Sequence, residues 1–229
     1  MLKKLYQQMR GPLISFKFKD WTDYKVDHNF EGIGNEDGKF NGMPYVELWK
    51  KYEFTTSFDY YARRIKLIME DNEVDYLPFA CYINGVIQNP TNYVVDKVKG
   101  IVNLPAQKQI NISSVSKASN AIVVTTKPHT FLNGDKIYLT DVVNASIVNN
   151  KLFTITVIDA TSFYLNFDTT SLVVNGNNGK ASFYQQNTAV FTWQGEFFVN
   201  VRFGEDVATL SIDDYRSFSF PCRLTEIRS

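Results

Sequence analysis

The 229-residue sequence sets 24 Lys and Arg against 24 Asp and Glu. Its zero formal net charge argues against a general nucleic-acid binder, which needs surplus cations to neutralise phosphates. Hydrophobic residues at 44% and charged residues at 21% argue against general disorder, and no apolar run reaches the ~20 residues of a membrane-spanning helix.

The 18 Phe and 13 Tyr raise the aromatic share to 15%, which favours strands. Met1 to Arg10 is amphipathic rather than apolar, so no signal peptide is expected and folding in the cytoplasm is. Leu2, Leu5, Tyr6 and Met9 have helical spacing, and Gly11-Pro12 ends that short helix. From Leu13 the period becomes two. Ile14, Phe16 and Phe18 oppose Ser15, Lys17 and Lys19, which predicts a half-buried strand. Asp20 to Tyr24 reads as a turn, and the Gly-rich, polar stretch Glu31 to Gly42 reads as a loop. Tyr45, Glu47 and Trp49 alternate with Val46, Leu48 and Lys50 in a second strand. Ala62 to Met69 is a third strand candidate. In Tyr82 to Ile87, Asn84-Gly85 between β-branched pairs predicts a type I′ hairpin. Tyr93 to Asp96 and Ile101 to Leu104 read as a strand pair turning at Lys99-Gly100.

Near Gln107 the composition shifts to few charges and many Asn, Ser, Thr and Val. Strands are predicted at Ala121–Thr125, Lys136–Leu139, Phe153–Ile158, Phe163–Phe167 and Lys180–Phe183. Turns fall at Asn133-Gly134-Asp135, Asn149-Asn150 and Asn175 to Gly179, a pattern of a small barrel or sandwich. After Tyr184 the aromatic, charged style returns. Phe197, Val199, Val201 and Phe203 share one face, and a last strand is predicted near Arg223 to Arg228. The expected architecture is mainly β. A discontinuous sandwich- or barrel-like domain, 1–108 plus 184–229, is interrupted by an all-β module at 109–183, inserted where a loop tolerates it.

Few residues here point to catalysis or metal binding. Cys81 and Cys222 lack metal or redox spacing and read as reduced core residues. His28 and His129 sit in polar turn contexts without the ligand spacing a metal needs. The acid pairs Glu36/Asp37, Asp71/Glu73, Glu205/Asp206 and Asp213/Asp214 match glycosidase chemistry only in type and read as solvated turns. No catalytic residue, cofactor or metal is expected. The aromatics from Trp21 to Tyr61, among them Tyr24, Tyr45, Trp49, Tyr52, Phe54 and Phe58, read as core and subunit interface, where such rings concentrate.

Several segments resemble a family of tail proteins from siphophages and gene transfer agents, the distal tail or baseplate hub proteins. Phe16-Lys17-Phe18-Lys19-Asp20-Trp21-Thr22-Asp23-Tyr24 is similar to the family's Phe-Arg-Phe-Lys-Asp-Trp-x-Asp-Tyr core, after a helix ending Met9-Arg10-Gly11. Gly32 to Gly38, Leu48 to Tyr52, Arg64 to Lys66, Tyr93 to Val102, Phe198 to Asp206 and Leu224 to Arg228 resemble further family segments. The resemblance covers roughly Leu2 to Pro105 and Thr188 to Arg228. It implies a structural subunit of a virion tail tip, a hexameric ring of copies between tail tube protein and baseplate hub protein. Phe16, Phe18, Trp21, Tyr24, Trp49, Tyr52, Arg202 and Phe203 are the interface candidates. The family usually carries strands ahead of the helix with which this sequence starts, so a neighbour or another protein is expected to cover that sheet edge. Within segment 109–183, Ile122 to Thr125, His129 to Leu139 and Phe153 to Leu165 resemble a small β module found in phage structural proteins, expected to decorate the tail exterior or to bind host-surface glycan.

Overall fold

The computed structural model describes residues 14–29, 31–53, 60–66, 68–69, 77–204, 211–214, 217–219 and 224–227. Among these residues the protein is mainly β: strands make up 47% and helix 3%, in curled antiparallel half-barrel sheets, and no helix described there reaches seven residues. The helix expected at Leu2–Met9, Cys222, and the acids Asp71/Glu73 and Glu205/Asp206 lie outside the described residues.

The chain first forms β1 (Phe16–Phe18), β2 (Lys25–Val26), β3 (Gly32–Gly34), β4 (Tyr45–Glu53), β5 (Tyr60–Arg64), β6 (Ala80–Ile83), β7 (Val86–Ile87), β8 (Val94–Asp96) and β9 (Ile101–Asn103). Next come β10 (Lys108–Val115), β11 (Ile122–Thr125), β12 (Lys136–Thr140), β13 (Lys151–Thr154), β14 (Thr156–Asp159), β15 (Ser162–Tyr164), β16 (Gly176–Asn177) and β17 (Lys180–Phe183). The last are β18 (Phe191–Glu196), β19 (Val199–Phe203), β20 (Ser211–Asp214), β21 (Ser217–Ser219) and β22 (Leu224–Glu226).

One sheet runs β7-β6-β18-β3-β4-β9-β8, with β2 on β18 and β5 on β4. A three-stranded sheet, β1-β19-β22, shares its buried cluster, which gathers Val46, Leu48, Val102, Phe191, Trp193, Val199 and Val201. The alternation expected at Phe197 to Phe203 holds: Phe197, Val199, Val201 and Phe203 are all buried, and Arg202 points out. At the predicted hairpin, Asn84 and Gly85 both adopt positive φ, 50° and 77°, as a type I′ turn requires.

The Gly-rich stretch at Glu31 to Gly42 departs from expectation. Its first residues form β3 in the middle of the sheet, between β18 and β4. A Cβ on Gly32 would stand 1.8 Å from the Trp193 carbonyl oxygen, and one on Gly34 2.6 Å from Val46 and Phe191. These glycines let backbone approach large core side chains closely.

The strand expected over Ala62–Met69 is also displaced, since β5 ends at Arg64. There β4 changes partner. The Ile65 N–H donates to the Leu48 carbonyl, and the Leu48 N–H donates to the Gly100 carbonyl at the entry to β9. Arg64 Nη1 donates to the carbonyls of Leu48, Ile65 and Gly100, closing the junction.

The second large sheet runs β13-β12-β17-β10-β11-β15-β14, with β16 on β10. Its edge strands, β13 and β14, are consecutive and joined by Ile155 alone, which is buried, so the sheet curls round on itself. Phe153 to Ile158 is therefore two strands rather than one. A separate cluster around Ile137, Leu139, Phe153, Phe163 and Leu165 fills this sheet. Strand β10 carries a register shift between Ile112 and Ser114, which breaks its period-two signal and hides it in the sequence. Lys108 pairs with Phe183, and the Gln107 N–H donates to the Phe183 carbonyl, so this segment enters and leaves side by side.

Candidate functional site

The segment Phe16 to Tyr24 divides its residues between packing, ion pairing and exposure. Phe16 and Phe18 pack against the core, and the Phe16 ring lies 5.3 Å from that of buried Phe203. After β1, Asp20 makes a turn by accepting the Thr22 N–H and hydroxyl at 3.0 and 2.7 Å. These bonds, the hydroxyl's first, hold its carboxyl below the usual value.

Lys19 turns inward and pairs with Glu196 at 3.2 Å. Glu196 is wholly buried at the end of β18. It also accepts the Leu77 N–H at 3.1 Å and lies 3.5 Å from the Lys25 ammonium. A second ion-pair group sits beside it. Buried Lys50 donates to Asp23 and to the Lys25 carbonyl, both at 2.7 Å, with Glu31 at 3.3 Å. The Tyr52 hydroxyl donates to the other Asp23 oxygen at 2.6 Å. Arg63 approaches Asp23 at 3.8 Å and pairs with Glu226. Buried charge is tolerated because each group has partners.

On this base stands an exposed ring. Trp21 is 71% exposed. It meets Tyr24 edge-on, with centroids 5.4 Å apart. Lys19 Nζ lies 4.4 Å from the Trp21 ring centre and 4.7 Å from that of Tyr24. The ammonium is fixed by Glu196, so the cation–π contacts hold the indole in place.

The other face of β4 bears an open groove of about 630 Å³. Tyr45, Glu47 and Trp49 line it with Arg64, Lys66, Val98, Lys99 and Ile101. The Trp49 indole N–H donates to Glu47 at 3.1 Å, and Arg64 Nε lies 3.4 Å from the same carboxylate. Burial lowers the Arg64 pKa, an effect that Glu47 opposes. Val98 is 66% exposed at the rim.

The eight expected interface residues thus scatter. Phe203 is core, while Phe16 and Phe18 are half-buried against it. Tyr24 and Tyr52 are half-buried around the ion pairs, and Trp49 lies in the groove. Arg202 is exposed on β19, apart from the others, opposite Thr225 of β22. Trp21 is the one of the eight that stands free as a large ring. Sequence reasoning did not single out Glu196 or Lys50. Lys50 carried a signal, because it occupies the inward register after Val46 and Leu48. Glu196, at the end of a strand, carried none.

Each histidine lies against aromatic rings. His28 stacks on Tyr82 at 3.9 Å, and His129 on Phe131 at 5.1 Å, where its Nδ1 accepts the Phe131 N–H. Cys81 is buried and free. Among the acid pairs, Asp37 accepts the Lys39 N–H as a turn residue does. Among the described residues no group of three or more His, Cys, Asp or Glu is placed to hold a metal ion, and no helix is long and apolar enough to cross a membrane. Every aromatic residue of segment 109–183 is buried or half-buried, which leaves a sugar no fully open ring to stack on there.

The fold and site define a mainly β protein that presents a braced tryptophan on the turn after β1 and a cation-lined groove on one face of β4. No protein-family model matches the sequence, and no curated protein matches it.

Proposed function

We propose that this chain is a non-enzymatic structural subunit of a phage-type tail tip, which associates with copies of itself into a ring joining tail tube to baseplate hub. The tail assignment rests on the motif resemblance at Phe16 to Tyr24 and the segments that accompany it. The observation that carries the assembly role is Trp21, 71% exposed and held by Lys19 and Tyr24 over buried Glu196. A large apolar ring held rigid in water is unfavourable for an isolated molecule. It matches the Trp-rich, preorganised anchors that dominate protein interfaces. A ring needs two different contact surfaces per subunit whose rotation closes.

The test uses the full chain in native mass spectrometry and negative-stain electron microscopy across a wide concentration range. Closed rings of one copy number are expected, with the chain located at the tail tip of the particle. A stable monomer at every concentration overturns the reading.

A further inference from the structure

We propose that the ring contact is a knob-in-socket one: Trp21 of one copy enters the β4 groove of the next. This deepens the assembly reading above and rests on it. The argument begins with the register of β4 and β5. Lys50 pairs with Arg63, and both side chains reach Asp23 beneath the Trp21 turn. The next pair along, Trp49 with Arg64, lines the groove. Successive residues of a strand point to opposite faces, so the base of the knob turn, at Asp23, and the socket lie on opposite faces of β4. A molecule cannot satisfy its own socket this way, and a two-fold pair of identical patches does not result. Each copy gives to one neighbour and receives from another, which is the heterologous arrangement a ring requires.

The two surfaces also match in chemistry. The groove holds about 630 Å³, within the roughly 300–1,000 Å³ of pockets that take a drug-sized molecule, so it has room for an indole and the residues beside it. Three cations, Arg64, Lys66 and Lys99, line it against one acid, Glu47, and Glu47 is engaged by Trp49 and Arg64. At the knob, Asp20 stands beside Trp21 and accepts from Thr22, while Asp23 is held beneath by Lys50 and Tyr52 and the Lys19 ammonium lies against the indole. An indole with the Asp20 carboxylate beside it therefore meets aromatic rings, Tyr45 and Trp49, flanked by cations. The groove offers side chains rather than backbone, since the β4 residues beneath it are paired with β3 and β5 or with β9. This suits a side-chain knob better than an added strand.

The test takes the full chain with two sets of substitutions at exposed positions, Trp21→Ala on the knob and Val98→Glu with Lys99→Glu on the socket. Each variant alone is expected to run as a monomer in native mass spectrometry, with the far-UV circular dichroism spectrum of the wild-type fold. An equimolar mixture restores one intact contact per pair and is expected to give dimers that grow no further. As a second measurement, p-benzoylphenylalanine replacing Trp21 is expected to cross-link to the peptide around Val98–Ile101 of another copy. Raising salt should weaken the assembly. Rings from both variants, or a mixture that stays monomeric, overturn the knob and socket while leaving the ring reading intact. So does a cross-link elsewhere. A wild-type chain that never leaves the monomer overturns the ring reading and this contact together.

Discussion

Glu196 shows how much of the site depends on one carboxylate. It is wholly buried, fixes Lys19 beneath Trp21 and accepts the Leu77 N–H. Removing one member of a buried ion pair leaves an uncompensated charge and costs about 3–5 kcal/mol. Glu196→Ala is therefore expected to lower the unfolding free energy by that order in urea titrations followed by tryptophan fluorescence. Trp21→Ala, which removes an exposed ring, should leave the midpoint nearly unchanged. Cys81 gives a pH dependence of known sign. Burial, opposed in part by a hydrogen bond with Tyr93, pushes its thiol from 9.0 to about 12. Below pH 9 both folded and unfolded chains hold the proton, and the contribution to stability is complete. Between pH 9 and 12 the unfolded thiol ionises while the folded one does not, so stability falls as pH rises. In denaturant titrations across that window, Cys81→Ala should flatten this part of the decline.

Where β4 exchanges one partner strand for another, geometry leaves little room. Gly100 adopts φ of 61°, and a Cβ there would stand 2.0 Å from the Ile65 carbonyl oxygen. Gly100→Ala combines a left-handed backbone with a backbone clash. It should cost at least about 1–3 kcal/mol by chemical denaturation, whereas Gly85→Ala, with open space around it, should cost less. The elements were unevenly legible in sequence. The Asn84-Gly85 hairpin and the alternating face of Phe197 to Phe203 follow from local rules, and both are as read. Strand β3 was hidden because its glycines serve contacts with Trp193, Val46 and Phe191, which lie far off in sequence. Strand β10 was hidden by its register shift. The site was legible only in part. Trp21 and Tyr24 stood out as aromatics, but their brace lies 172 and more residues away at Glu196, a distance that local pattern does not cross. The Asn-rich middle segment has a local cause. Asn144, Asn150, Asn166 and Asn178 all adopt positive φ, which Asn tolerates better than most residues.

At the scale of the whole chain, two buried clusters share no residue. One draws its buried members from positions 112–181, the other from outside that range. Replacing residues 108–183 by a short Gly-Ser turn between Gln107 and Tyr184 is therefore expected to leave the remainder folded. Its cooperative unfolding, followed through buried Trp193, checks this, and loss of the transition would show that the two clusters depend on each other. The adjacency of the crossings at Gln107 and Tyr184 also has a mechanical consequence. A pull that separates the 108–183 segment from the rest loads two tethers in parallel. Both tug β10 and β17 the same way, so their mutual bonds are not peeled apart. Drag or collision on that segment is thus divided between two covalent links, and the β10–β17 ladder between them carries no peeling load.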